Sequence, residues 1–480
     1  MDVKFGEYVH VFKVDMAIDE QKRFTWKQAF WQIFPSFCAS LIAVPSGIML
    51  GWPSPTYPYL LQSTSVIPIS MNQSAMIAGF FMLGAILTTP LSCRYHLGPK
   101  YGIWIGMALM TIGWIIMWYS EDVIGLLCSR FTVGLGSGYG LGQVKGYISD
   151  LCEPQLAQFL NKQLNFYGLF GILVTFMAGP FLNFRKFPYV PVITCLIVLL
   201  VIMFLPCTPK DFVKRNKMDE AATLLDYLRG KRDHSNELKK IQNELIDKKI
   251  NFFSLLKIAN LRRKFLKFIL LVFLQQFSGG PTTIVYCQLI FTMSDCPYPE
   301  YCAILYAVTF FISNIYGTFY ASKLNKKFVL IFSIVTTAFM LISQIAVLYF
   351  EINKKYWSFT SLIVMLLFIT FYCVGVGNTA IAYVPEWFPE QYKVGMVNTF
   401  SISFYAFAII ATKVFQVLIT AYPLYIGFCL FLFCDLVNLI FVIIFVKKKS
   451  SEFDNYKQTN SVYFWNSKRG NEIEKHINNR

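Results

Sequence analysis

Apolar runs of bilayer length follow one another along most of this chain. A helix rises ~1.5 Å per residue, so about 20 apolar residues cross the hydrocarbon layer. About twelve runs of that kind can be read, at 29–51, 73–93, 102–119, 124–149, 159–180, 187–206, 265–292, 301–321, 328–350, 358–384, 395–418 and 422–446. A water-soluble core could not hide them, because 55% of the 480 residues are hydrophobic and only 15% are charged. Backbone immersed in lipid must satisfy its hydrogen bonds internally, which leaves helices packed on helices. The prediction is an all-α polytopic membrane protein.

The formal net charge of +16 would suit a nucleic-acid surface, but the placement of the charges decides against it. With a cytoplasmic N-terminus, the great majority of the 43 Lys and Arg residues fall on inside segments, and the opposite topology inverts that bias. Both termini are therefore expected in the cytoplasm. Residues 1–28 form a polar leading segment without a cleavable signal peptide. The longest interruption, 207–264, is polar and basic, and Met218–Gly230 within it has apolar residues at helical spacing. It separates six runs (29–206) from six more (265–446), the arrangement of two-lobed secondary transporters with a site between the lobes near the midplane. The polar tail, 447–480, is expected to be disordered, and its Lys447-Lys448-Lys449 reads as a stop signal.

Enzymatic chemistry finds no support. There is no nucleotide loop and no nucleophile elbow, and His10, His96, His234 and His476 are too scattered for a metal cluster. The twelve cysteines lie mostly inside apolar runs; Cys296 and Cys302 flank a short loop and are read either as a bridge or as two free thiols. Asn72-Gln73-Ser74 is a glycosylation sequon in the first outside loop, close to the next span.

The most informative segment is Lys267–Phe291, "KFILLVFLQQFSGGPTTIVYCQLIF". Gln275 and Gln276 are adjacent, so they point roughly 100° apart on a helix, and at most one faces a central cavity squarely. Gly279-Gly280-Pro281 breaks the helix just beyond them. Two functions fit. The amides can meet a polyhydroxylated ligand, which offers donors and acceptors as glutamine does, with freed backbone lining the site. Alternatively the amides tie helices together and the break is a packing kink. The same two readings apply to Gln163 and Asn165 in run five, Asn314 in run eight, Asn378 and Thr379 in run ten, and Asn398 in run eleven. Tyr383 and Trp387 are either sugar-stacking or interfacial aromatics. Arg130 and Lys413, near outer ends, can snorkel; Lys145 can face a cavity or pair with Asp150. Run one carries no Asp or Glu, which favours a carrier not coupled to protons.

Taken in order, these segments resemble the sugar porter family of the major facilitator superfamily, in particular its insect facilitated trehalose transporter-like members. "QQFSGG" (275–280) is similar to the family's Q-Q-x-S-G-I-N, "SRFTVGLGSG" (129–138) to G-R-F-x-x-G-x-G-x-G, and "GYISD" (146–150) to the end of P-V-Y-x-x-E. "EWFPEQYKVG" (386–395) resembles E-x-x-P-x-x-x-R-G, and residues 205–230 follow the pattern P-E-S-P-R-W-L…L-R-G. "SGIMLGWPSP" (46–55) and "ATKVFQVL" (411–418) look like the trehalose-type subgroup. The resemblance implies twelve transmembrane helices in two six-helix lobes, facilitated transport of trehalose or a hexose by alternating access, uniport by default, and no cofactor. It implies a sugar substrate and the lipid bilayer as partners, and residence in the plasma membrane. It places sugar-binding roles on Gln275 and Gln276 and sets Asn165 where the family often has a glutamine; Asn378 and Thr379 join these candidates as polar residues of run ten, with Gly279, Gly280 and Pro281 as the break beside the site. It makes Asp150 and Glu386 the acids of an inner gate, with Lys100, Lys326, Lys327 and Lys393 as basic partners.

The chain departs from the family at several of these positions. Pro281 stands at the asparagine of the seventh-helix motif, "NTAI" (378–381) replaces P-x-P-W in the tenth helix, and Phe404 replaces an asparagine in the eleventh. At the inner face, "GPK" (98–100) stands for G-R-R, "AQ" (157–158) for R-G, and Cys207 for a glutamate. Lysine lacks the two-pronged fork with which arginine grips a carboxylate, so a biased conformational balance and altered sugar binding are expected. These losses keep two other readings open, a carrier of another small solute and a non-transporting sensor-like paralogue.

Overall fold

The computed structural model describes residues 26–93, 98–230, 233–246, 254–319, 324–350 and 359–446. The leading segment before Trp26 and the tail from Lys447 lie outside the described residues. Those described are helices joined by short turns, with no strand among them. Among the described residues nine helical stretches are long and apolar enough to cross a membrane: Gln28–Leu60, Met71–Ser92, Pro99–Tyr119, Ala259–Val285, Pro299–Phe319, Lys326–Tyr349, Thr360–Trp387, Gln391–Ala421 and Leu424–Phe445. Three more helices fill the places of runs four to six. Val123–Leu151 is diluted by glycine and by Arg130, Lys145 and Asp150; Pro154–Ala178 carries amides; Tyr189–Met203 is apolar but short. Counted in chain order these twelve are spans one to twelve below.

Each half closes on itself before it meets the other. In the first half span four packs on spans two and three, and span one on span five; in the second, span nine packs on spans ten and twelve, and span seven on spans eleven and twelve. Small residues bring helices close where lipid supplies no hydrophobic drive. A Cβ on Gly84 would stand 2.3 Å from the carbonyl oxygen of Phe131, and one on Gly134 2.1 Å from that of Phe81, which accounts for glycine where spans two and four cross. Between the halves, span two lies along span eleven and span five along span eight.

Three spans are broken, each for a local reason. Pro45 has no N–H to give to Leu41, and span one tightens there, Val44 N–H reaching Leu41 O instead at 3.0 Å. Span seven ends a helix at Phe277, turns through Gly279 in the left-handed region (φ 92°), and restarts at Gly280 with Pro281 in the first turn, where a missing N–H costs nothing. Span ten breaks at Gly375; Ser333 of span nine spans the gap, donating to Phe371 O at 2.6 Å and accepting from Val376 N–H at 3.0 Å.

The segment between the halves is helical at Pro209–Lys214, Met218–Arg229, Ser235–Ile246 and Ser254–Lys257, as the spacing in Met218–Gly230 predicts. Thr208 and Asp211 cap the first of these reciprocally. Gln32 ties the second to span one, donating to Leu228 O at 2.8 Å while its Oε1 accepts from Glu153 N–H at 2.9 Å. The end of the bundle carrying this segment is called the linker end below, and the opposite one the far end.

Candidate functional site

The turn in span seven divides the paired glutamines by role. Both are buried. Gln275 is a tie between helices: its Nε2 donates to Gly377 O in span ten at 2.7 Å, and its own carbonyl accepts from Tyr372 Oη at 3.3 Å. Gln276, fully buried, has neither amide atom hydrogen-bonded among the described residues. Roughly 100° of helix rotation separates the two, and that angle sends one amide to span ten and leaves the other with its donors and acceptor uncommitted. Thr282, just past the break, is likewise buried with its hydroxyl unbonded. Buried polar groups are nearly always paired, so the unbonded groups of Gln276 and Thr282, on either side of the break, are exceptions to that rule.

The remaining sequence candidates divide. Asn378 and Thr379 come to the contact between spans seven and ten, next to Gly377, but their side chains serve their own helix: Asn378 Nδ2 donates to Cys373 O at 2.7 Å and lies 3.5 Å from Asn314 Oδ1, and Thr379 Oγ1 donates to Gly375 O at 2.5 Å. Asn165 is exposed on span five, in the other half. Gly279 and Gly280 are packed against rings: a Cβ on Gly279 would stand 2.6 Å from Phe431, and on Gly280 2.3 Å from Tyr372.

At the linker end Glu386 pairs with Lys326 at 2.7 Å, and Lys326 also donates to Ala382 O at 2.9 Å. Asp150 meets Lys210, in the segment between the halves, at 3.5 Å. Lys327 donates to Ile443 O at 3.2 Å. Lys100 is half-buried near the start of span three, and Lys393 lies in the first turns of span eleven.

Side chains from both halves close the far end. Tyr57 Oη donates to Ser74 O at 2.6 Å, Ser74 Oγ lies 3.1 Å from Tyr286 Oη, and Gln288 N–H donates to Ser54 Oγ at 3.2 Å. Lys413 of span eleven donates to Asn72 Oδ1 and, at 2.7 Å, to Gln416 Oε1. Asn72, the sequon asparagine, thus sits in the first turn of span two and is bonded across the halves. N-glycosidase treatment of protein from a glycosylating host is expected to leave gel mobility unchanged, and a shift lost in Asn72→Gln would refute this. Cys296 and Cys302 are free, buried thiols.

Two charged groups have surroundings that the sequence reading did not assign. Arg130 does not snorkel: it is 1% exposed, under Trp52 (5.3 Å) and near Phe81 (5.9 Å), and donates to Met49 O at 3.2 Å. Aromatic faces and the carbonyl of Met49, which gets no helical N–H from Pro53 four residues on, take the place of water. Asp435 of span twelve is 0% exposed; an acid inside "FLFCDLVNLIF" is the sequence signal that marks it.

With this geometry in hand, the comparisons are informative. A family model described as "Sugar (and other) transporter" matches residues 17–458. The chain is 25% identical over 462 residues to the facilitated trehalose transporter Tret1 of Bombyx mori, covering 92% of this chain and 88% of that protein. It is 24% identical to the facilitated trehalose transporter Tret1 of Anopheles gambiae over 86% of this chain, but spans only 54% of that longer relative. Its backbone is similar to the inward-open xylose transporter XylE from E. coli, with TM-score 0.73, 15% identity, and coverage of 87% of this chain and 97% of that one. The fold is that of the major facilitator superfamily, as expected.

Proposed function

We propose, because the chain belongs to the sugar transporter family, that it carries trehalose or a hexose across the membrane by facilitated, alternating-access transport, with Gln276 as the chief solute-binding group. The observation that carries this reading is the buried, uncommitted amide of Gln276 at the broken turn of span seven. A sugar hydroxyl both donates and accepts, and so does a primary amide. Gln275 assists through its Oε1, which is also unbonded. Asn165, Asn378 and Thr379 stay in the proposed site as secondary contacts; the last two would have to leave bonds within their own helix.

On this reading 29–206 and 265–446 are the moving lobes, 207–264 is their cytoplasmic connection, and 1–28 and 447–480 are cytoplasmic ends of a plasma-membrane protein. The far-end contacts of Tyr57, Ser74, Tyr286 and Lys413 are the closed gate. The opposing gate uses Asp150, Glu386, Lys100, Lys326, Lys327 and Lys393. Uniport is favoured because span one has no acid, and the bonded partners of Asp435 all belong to the second half. A second reading, a carrier of a different small solute, draws on Asn378 and Thr379 being tied to their own helix where the family carries P-x-P-W.

The test is uptake of labelled trehalose and of labelled glucose into liposomes holding the purified protein, with and without a pH gradient. The expected result is saturable uptake of one of them that ignores the gradient. Gradient-driven accumulation would overturn uniport, and absence of uptake of both would move the assignment to another solute.

A further inference from the structure

Asp435 is a carboxyl group buried midway along span twelve, a costly placement unless it is matched by hydrogen bonds. Its Oδ1 accepts from Ser278 Oγ at 2.5 Å and its Oδ2 from Thr337 Oγ1 at 2.7 Å. Ser278 is the residue between the end of the first helix of span seven and the left-handed Gly279, and it is two positions from Gln276. Phe431, one helical turn before Asp435, covers Gly279. Thr337 is one turn beyond Ser333, the residue that bridges the break in span ten. One ridge of span nine therefore holds both broken helices, directly at span ten and through Asp435 at span seven. Ser278 Oγ already has a local acceptor in Leu274 O at 3.0 Å, so capping alone did not require an acid. What the carboxylate adds is a second acceptor oxygen, and with it a rigid link from span nine to the turn.

We propose that Asp435 is a positioning residue for solute binding: by joining Ser278 to Thr337 it fixes the turn of span seven and so the direction of the Gln276 amide. This rests on Gln276 binding the solute, as argued above. An asparagine would keep most of the link, since its Oδ1 accepts from one hydroxyl and its Nδ2 donates to the other once that hydroxyl rotates. A valine would break it.

The experiment measures KM and maximal rate for whichever of labelled trehalose or glucose is taken up, normalised to folded protein, in Asp435→Asn, Asp435→Val, Gln276→Ala and Asp435→Val/Gln276→Ala. Asp435→Val is expected to raise KM about tenfold with a smaller change in maximal rate, and Asp435→Asn to stay within about threefold of the parent. In the Gln276→Ala background the valine should add less than about twofold, because the group it misplaces is gone. A full tenfold effect in that background, or a parental KM for Asp435→Val, overturns the proposal. Melting temperatures of solubilised Asp435→Val, Ser278→Ala and the double variant test the link without sugar: non-additive losses support it and additive losses overturn it. An unchanged KM for Gln276→Ala alone, with the link intact by melting, refutes the solute site instead.

Discussion

Gln276→Ala is expected to raise the KM for the transported sugar about tenfold or more, while the amount of folded protein at the membrane stays at the parental level. The two halves of that expectation have one cause. The amide makes no hydrogen bond within the described structure, so its removal orphans no partner and leaves no unpaired group behind. Stability should hold or rise slightly, because an unsatisfied buried amide is replaced by a methyl group. Affinity should fall, because a hydroxyl bonded to that amide in the complex would lose its partner at a buried position. Gln275→Ala is the contrast: it strands Gly377 O and loosens spans seven and ten, and should lower melting temperature as well as affinity. A Gln276→Ala protein that melts early with an unchanged KM would make the residue a helix tie and remove the site.

Gly279→Val is expected to cost about 3 kcal/mol or more of stability, seen as a large drop in melting temperature or in surface abundance. Two penalties coincide at this position. Its φ of 92° is a conformation that branched side chains strongly avoid, at about 1–2 kcal/mol. A Cβ would also meet the ring of Phe431 at 2.6 Å, and overpacking of a filled space adds about 1–3 kcal/mol. Gly79→Ala serves as the control: its Cβ would find Ile409 at 3.5 Å, an ordinary contact, and should leave the melting temperature unchanged. Equal effects of the two substitutions would mean that the turn of span seven is not held as described.

The fold was largely legible because its signal is long and repeated. A span needs about 20 apolar residues whatever it packs against, so hydropathy finds it without tertiary information. The exceptions fit the same physics: span four gives up apolarity to glycines such as Gly134, Gly136 and Gly138, which stand against carbonyls of spans two and three. The site was legible in kind but not in detail. Two adjacent amides before Gly-Gly-Pro announced a broken polar helix; which amide is committed depended on Gly377 O, a carbonyl of span ten 102 residues away in the chain. Asp150 meets Lys210 from the connecting segment, a pairing that depends on where that segment docks and that spacing along the chain does not give.

The sequence by itself determined the class of molecule, the order of its apolar helices and the position of the break in span seven, because these follow from composition, periodicity and spacing along the chain; the family was legible through motifs that resemble known members. Only the tertiary structure decided that Gln275 is tied and Gln276 uncommitted, that Arg130 lies under Trp52, and that Asp435 joins Ser278 to Thr337. Each of those outcomes is a pairing between residues far apart in the chain. In a membrane the identity of the partner, and not the polarity of the residue, decides whether a buried polar group serves packing or a ligand.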